Sequence, residues 1–291
     1  MENKILKKTG RSSSSKSVLF LADIHDGSET AVCSENPKMK GGSYNPNELQ
    51  KQLLESWYWC KDQLKQPTHI LCINGEPVDG SNPKQLGEQS WSTTLKEQLD
   101  DAKKLLSIYK PKYIIASRGS NYHSKGETYS VEEDLAKDLN ATPYSGYHGV
   151  EDGVIRTDYF ATFKVFDRVF SMTHHIGFNR WFAYRTTALA REMADMEFLR
   201  GRYWTNEDMP TIIVRSHVHY FVYVRFSNQH GFTTAAWKLP DSHLFRGGLG
   251  GTAPSIGTVE VIIEPNNEVL VYPHIINNDK YPKHNILDLT N

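Results

Sequence analysis

Val18-Leu19-Phe20-Leu21-Ala22-Asp23-Ile24-His25-Asp26-Gly27 is the stretch on which the fold turns. An unbroken apolar run that stops at Asp-Gly turn chemistry reads as a buried strand. Residues 69–73 repeat the pattern ahead of Asn74-Gly75, and residues 113–116 repeat it ahead of Arg118-Gly119. Two amphipathic segments separate the three runs. Leu49, Leu53, Trp57, Cys60 and Leu64 recur at helical spacing, as do Leu95, Leu99, Ala102, Leu106 and Tyr109, so each segment presents one apolar face. Strand, helix, strand, helix, strand in that order predicts neighbouring parallel strands joined by right-handed crossovers. Ser130 followed by Glu133 has capping-box spacing and opens a third helix.

The pattern changes near residue 154. Short strands are expected over 154–157, 160–166 and 168–173, then a long helix over 179–200 with Leu189, Met193 and Met196 turned inward. Further strands are expected over 211–214, 221–226, 232–237, 259–263 and 268–272. The glycine-rich residues 240–254 read as a surface loop, without the GxGxxG spacing or Gly-Lys pair of a phosphate cradle. The expected class is α/β: a mixed sheet system, parallel in its first half, with helices packed outside it. Residues 1–16, basic and serine-rich, read as a disordered lead-in to one domain over 17–291.

Charge and cysteine content narrow the field. With 33 basic against 34 acidic residues there is no global attraction to polyanions, so nucleic-acid binding would need a local patch. Cys33, Cys60 and Cys72 are odd in number and form no CxxC pair, which fits unpaired thiols in a reducing compartment. No apolar run approaches the roughly 20 residues of a membrane span. The expectation is a soluble, cytoplasmic protein with no membrane partner.

The informative fact is where the metal-type residues fall. Asp23 and His25 follow the first strand, Glu76 and Asp79 the second, Asn121 and His123 the third. His174 and His175 follow the strand ending at residue 173, and His217 and His219 follow the one ending at residue 214. Singly these are unremarkable turn and surface residues, and Asn121 alone is a turn residue. Together they deliver carboxylate, imidazole and amide groups to the carboxyl ends of five strands, where α/β sheets bind ligands. Mixed oxygen and nitrogen donors suit manganese, iron or zinc better than calcium.

The blocks Asp23-Ile24-His25, Gly75-Glu76-Pro77-Val78-Asp79, Gly119-Ser120-Asn121-Tyr122-His123, His174-His175 and Ser216-His217-Val218-His219 follow one order. It resembles the order Asp-x-His, Gly-Asp-x-x-Asp, Gly-Asn-His, His, Gly-His-x-His of the calcineurin-like metallophosphoesterases, over about residues 18–220. The third block is similar to the Gly-Ser/Thr-x-x-His form of phage-type members. The resemblance implies two mixed β-sheets packed face to face with flanking helices and two divalent transition-metal ions, manganese, iron or zinc, at one rim. It implies that Asp23, His25 and His219 hold one ion and that His174 and His217 serve the other. The bridging aspartate is here Glu76, one methylene longer, which respaces the ions or weakens one site. In the third block either Asn121 keeps an amide-ligand role with His123 displaced, or His123 takes a metal position. Asp79 is expected to hold a ligand histidine by a hydrogen bond, and His175 is the weaker ligand of its pair.

The implied activity is hydrolysis of a phosphate ester, in the first instance a phosphodiester, by a metal-bridged hydroxide. His123 is the candidate to protonate the leaving alkoxide, and Arg118 to contact a phosphate or to form a surface salt bridge. The rivals are an amidohydrolase barrel, which places its HxH after the first strand, and a catalytically weak family member that only binds a phosphate-containing ligand or nucleic acid. Arg180, Arg185 and Arg191, with Trp181, Phe182 and Tyr184, read either as a basic-aromatic wall for a nucleotide or nucleic acid strand or as a solvated helix face.

Overall fold

The computed structural model of the chain describes residues 14–82, 87–120, 122–123, 130–143, 155–199, 201–202, 204–205, 207–242 and 253–276. The quoted run forms β1 (Lys16–Leu21), so Lys16, placed in the lead-in by sequence, already belongs to a strand. A small ribbon, β2 (Lys38–Met39) with β3 (Gly42–Ser43), leads to α1 (Glu48–Asp62), whose start is fixed by an Asn47–Gln50 capping box. Then come β4 (Ile70–Asn74), α2 (Leu95–Ser107), β5 (Tyr113–Ser117), and α3 (Val131–Asp138) capped by Ser130. β1 pairs with β4, and β4 with β5, in parallel, as the alternation of strand and helix requires.

The second half supplies β6 (Thr157–Asp158), β7 (Phe160–Val165), β8 (Arg168–Thr173), α4 (Thr187–Phe198), β9 (Ile212–Arg215), β10 (Tyr223–Phe226), β11 (Gln229–Thr233), β12 (Gly257–Ile263) and β13 (Val269–Ile275). One sheet has the order β13-β12-β1-β4-β5-β6, and the other β10-β11-β9-β8-β7. Both are mixed, with β8, β9 and β11 parallel in the second.

Alternate residues of the buried strands face different layers, as a two-residue period demands. Leu19, Leu21, Leu71 and Ile73 pack against Leu53, Trp57 and Cys60 of α1 and Leu105 and Leu106 of α2. Val18, Phe20, Ile70 and Cys72 point the other way, onto Phe170, Met172, Ile212, Val214 and Phe232 of the second sheet. Leu189, Met193 and Met196 of α4 cover its far face around Ile213. The result is four layers, helices, sheet, sheet, helix, and it is the architecture that the resemblance to the calcineurin-like metallophosphoesterases implied. None of the described helices is long and apolar enough to cross a membrane.

Three expectations need correction. The helix expected over 179–200 is a single 3-10 turn, Phe182–Tyr184, followed by α4 from Thr187, because the buried apolar stripe that would stabilise a helix begins only at Leu189. The strand expected over 232–237 is β11, Gln229–Thr233. Beyond it the chain leaves the sheet, and the Trp237 amide donates to the Asp23 carbonyl instead. The strand expected over 154–157 shrinks to β6, two residues beside β5. Most of the glycine-rich loop, residues 243–252, lies outside the described residues.

Candidate metal centre

β1, β4, β5, β8 and β9 all end at the same rim, and each hands its next residues to one cluster. Asp23, His25, Glu76, His217 and His219 take up left-handed backbone there, with φ between 49° and 71°. Such a conformation costs a residue with a Cβ about 1–2 kcal/mol, and it persists where surrounding contacts over-determine it, most often at functional sites. The contacts are on hand. The amides of Asp23 and Ile24 donate to the carbonyls of Gly75 and Glu76, the Asp79 amide donates to the Asp26 carbonyl, and the His217 amide donates to Asp23 Oδ2 at 3.2 Å. Gly75 is obligatory for space as well as for its φ of +79°, since a Cβ there would lie 2.5 Å from His174 Nδ1. A Cβ on Gly119 would meet Glu76 Cγ at the same distance, 2.5 Å.

The side chains converge in overlapping groups. Asp23, His25, Glu76 and His219 bring one donor atom each within 4.8 Å of one another, and Glu76, His174 and His217 do the same. Glu76 belongs to both. His25, Asp79 and His123 form a third group that shares His25 with the first.

Hydrogen bonds on the outer ring nitrogens set the character of the inner ones. His174 Nδ1 lies 2.7 Å from the Asn74 carbonyl oxygen, which only accepts, so Nδ1 carries a proton. Nε2 then presents a lone pair to Glu76 Oε1 at 3.3 Å and to Asp23 Oδ1 at 3.8 Å. His25 Nδ1 lies 3.2 Å from Asp79 Oδ1 without a well-formed hydrogen bond, and its Nε2 faces Glu76 Oε2 and His219 Nε2, at 3.2 and 3.3 Å. Lone pairs pressed against carboxylates and against each other need a cation between them, a proton or a metal ion. Asp23 Oδ1, His174 Nε2 and His217 Nδ1 are buried without a well-formed hydrogen bond among the described residues. The residues present therefore fit a transition-metal centre of mixed carboxylate and imidazole ligation.

Without metal the same geometry traps a proton. Burial by itself lowers His174, but the Glu76 and Asp23 carboxylates outweigh it and push the ring up to about 9. Burial raises Glu76, yet His174, His25 and His123 drive it well below the usual carboxylate range. A raised histidine stabilises the fold fully below its ordinary value of 6.5 and loses that contribution as the pH climbs through about 9. In chelator, the melting temperature is expected to fall between those two values, while Mn²⁺ affinity rises over the same interval because the ring must shed its proton to bind. Calorimetry at several pH values checks this, and a melting temperature that rises with pH in chelator would contradict it.

The other residues singled out by sequence are placed as follows. Asp79 is fully buried and accepts from Lys238 Nζ at 2.9 Å and from Asn82 Nδ2 at 3.2 Å, besides facing His25. His123 stands over the cluster with Nδ1 2.7 Å from the Asp79 carbonyl and Nε2 3.9 Å from Glu76 Oε2. Burial and the neighbouring His25 hold it down to about 4. His175 is exposed, its ring centroid 4.5 Å from that of His217. The Arg118 guanidinium is turned to Thr157 Oγ1 and the Tyr159 ring. Asn121 lies outside the described residues.

Three contributors escaped the sequence reading. Ser120 donates to Glu76 Oε1 through both its hydroxyl and its amide. Asn74 bonds to Ser117, Thr173 and Ser216. Lys238 is buried between Asp79 and Asp241. The last had a visible signal, a single charge inside the apolar run Ala235-Ala236-Trp237-Lys238-Leu239.

No family model matches the sequence, and no curated protein is similar to it at a significant level. Among solved structures the chain is similar to zinc-complexed wild-type Vps29 from Entamoeba histolytica, at 10% identity over 90% of this chain and 99% of that one, TM-score 0.38. It is similar to the phosphoesterase YfcE from E. coli, at 15% identity over 87% and 96% of the two chains, TM-score 0.38. A third is an archaeal phosphodiesterase, at 14% identity over 88% and 99%, TM-score 0.38.

Proposed function

We propose that this chain is a metal-dependent phosphoesterase of the calcineurin-like type that hydrolyses a phosphodiester at a two-ion centre. The observation that carries the reading is the pair of donor groups sharing Glu76. One is Asp23, His25, Glu76 and His219, and the other is Glu76, His174 and His217. Two divalent ions held there would lower the pKa of a bound water and neutralise phosphoryl oxygens.

The chain's own residues do the rest. The Asn74 carbonyl fixes the tautomer of His174, so that its Nε2 offers a lone pair inward, and the Asp79 carboxylate stands beside Nδ1 of His25. Lys238 balances the Asp79 charge, and Ser120 holds one Glu76 oxygen in place. His123 stands over the cluster with Nε2 facing it, placed to assist the leaving oxygen. Asn121 remains a candidate amide ligand by resemblance.

After reconstitution with Mn²⁺ the protein is expected to hold two ions and to turn over bis(4-nitrophenyl) phosphate. His217→Ala and His219→Ala are each expected to lower turnover by at least about 100-fold, the upper cost of losing even an outer-sphere partner. Both should keep the far-UV spectrum of the parent, because the two side chains stand at a rim. An intact fold that takes up no metal sinks the reading, and collapse of both variants would make the pair structural.

A further inference from the structure

Beyond His174 the chain runs Ile176-Gly177-Phe178-Asn179-Arg180-Trp181-Phe182-Ala183-Tyr184-Arg185 before α4 begins. Four rings in this stretch face solvent: Phe178 at 50%, Trp181 at 71%, Phe182 at 82% and Tyr184 at 58% exposure. Contiguous exposed rings of this size mark a contact surface. From residue 176 to residue 191 the chain carries Arg180, Arg185 and Arg191 and no carboxylate. The segment is also tied to the metal cluster. Phe178 lines the same cavity as His217, His219 and Tyr220, and the Asn179 amide donates to the Tyr220 hydroxyl at 3.4 Å. The Arg185 guanidinium lies 4.5 Å from the centre of the Tyr220 ring and 5.2 Å from that of Phe182. Its Nε has no hydrogen-bond partner among the described residues.

We infer that residues 178–185 are a platform on which a single-stranded nucleic acid stacks its bases while a backbone phosphate reaches the metal cluster. The inference rests on the phosphoesterase reading for the second half of that statement only. Ring faces accept any base, and arginines interleaved with them meet the phosphates. A duplex keeps its base faces covered, and a mononucleotide would occupy one ring and leave the others in water. The whole chain has a net charge of −1, so attraction to a polyanion has to come from local patches such as this one. The two arginines of the platform predict a mild salt dependence, a log–log slope of about −1.4 for a single strand.

The test is anisotropy of a labelled oligothymidylate titrated with the full chain in chelator, where no hydrolysis interferes. The double variant Trp181→Ala/Phe182→Ala is expected to bind about ten-fold or more weakly while keeping the parent's circular dichroism and Mn²⁺ uptake. Equal affinity of variant and parent overturns the platform. So does tighter binding of a duplex than of a single strand, and so does self-association of the parent that the double variant abolishes, which would assign the rings to a second copy of the chain. Turnover of bis(4-nitrophenyl) phosphate by the Mn²⁺-loaded parent is measured alongside. Ring-dependent binding without turnover upholds the platform and rejects the phosphoesterase reading, whereas turnover without ring-dependent binding does the reverse.

Discussion

Glu76→Gln is expected to lower phosphodiester turnover about 10³-fold and to leave the protein holding one ion where the parent holds two. Glu76 Oε1 lies 3.3 Å from His174 Nε2 and Oε2 lies 3.2 Å from His25 Nε2, one oxygen for each donor group. No other carboxylate among the described residues belongs to both groups. A bridging charge offsets the repulsion between two cations, a contribution of several kcal/mol, and about 4 kcal/mol corresponds to the stated loss. The amide keeps the shape and removes the charge, so the second ion should suffer more than the first. Glu76→Asp is expected to be milder, since it restores the residue usual in the resembled family. A Mn²⁺ titration of the three proteins side by side decides the matter. If the glutamine variant binds both ions as tightly as the parent and is equally fast, Glu76 is no bridge, and Asp79 is the next carboxylate to test.

The second large effect is on stability. Asn74→Leu is expected to cost about 3–5 kcal/mol and to lower the melting temperature by roughly 10 °C. Asn74 has no exposed surface. Its amide donates to the Thr173 carbonyl at 3.1 Å and to Ser216 Oγ at 2.6 Å, and its Oδ1 accepts from Ser117 Oγ at 2.5 Å. Leucine keeps the branched outline of the side chain without its polar atoms and leaves those buried groups short of partners, each at about 1–3 kcal/mol. Ser216 keeps its contact with Thr234, which limits the loss. A melting temperature within about 2 °C of the parent would show that water or side-chain rotation replaces the bonds, and that Asn74 matters only through its carbonyl.

Legibility varied along the chain for physical reasons. β1, β4 and β5 were readable because strands buried on both faces spell continuous apolar runs, and the helices between them because one face must be oily. The order of Asp23, His25, Glu76, His174, His217 and His219 was readable because each follows a strand end directly. Asn74 was not, since an asparagine before a glycine looks like ordinary turn chemistry until the second sheet arrives opposite it. Lys238 stood out as a lone charge in an apolar run, but its partner Asp79, 159 residues away, could not be read from that signal. The segment over 179–186 misled because the expected helix was anchored on Leu189, Met193 and Met196, and an apolar stripe does not say how far upstream of it a helix extends.

The two proposed ions have a mechanical consequence. Asp23, His25 and Glu76 hang from strands of the first sheet, and His174, His217 and His219 from strands of the second. Every ion would therefore be a rivet through both halves of the sandwich, at the rim where these strands hand over to loops. It closes a circuit between residues 194 apart, such as His25 and His219, and the entropy that a freed chain regains grows with the length of such a circuit. Starving the protein of metal would then loosen the end of the molecule that receives its substrate, so that ion supply governs its lifetime against proteases as well as its chemistry.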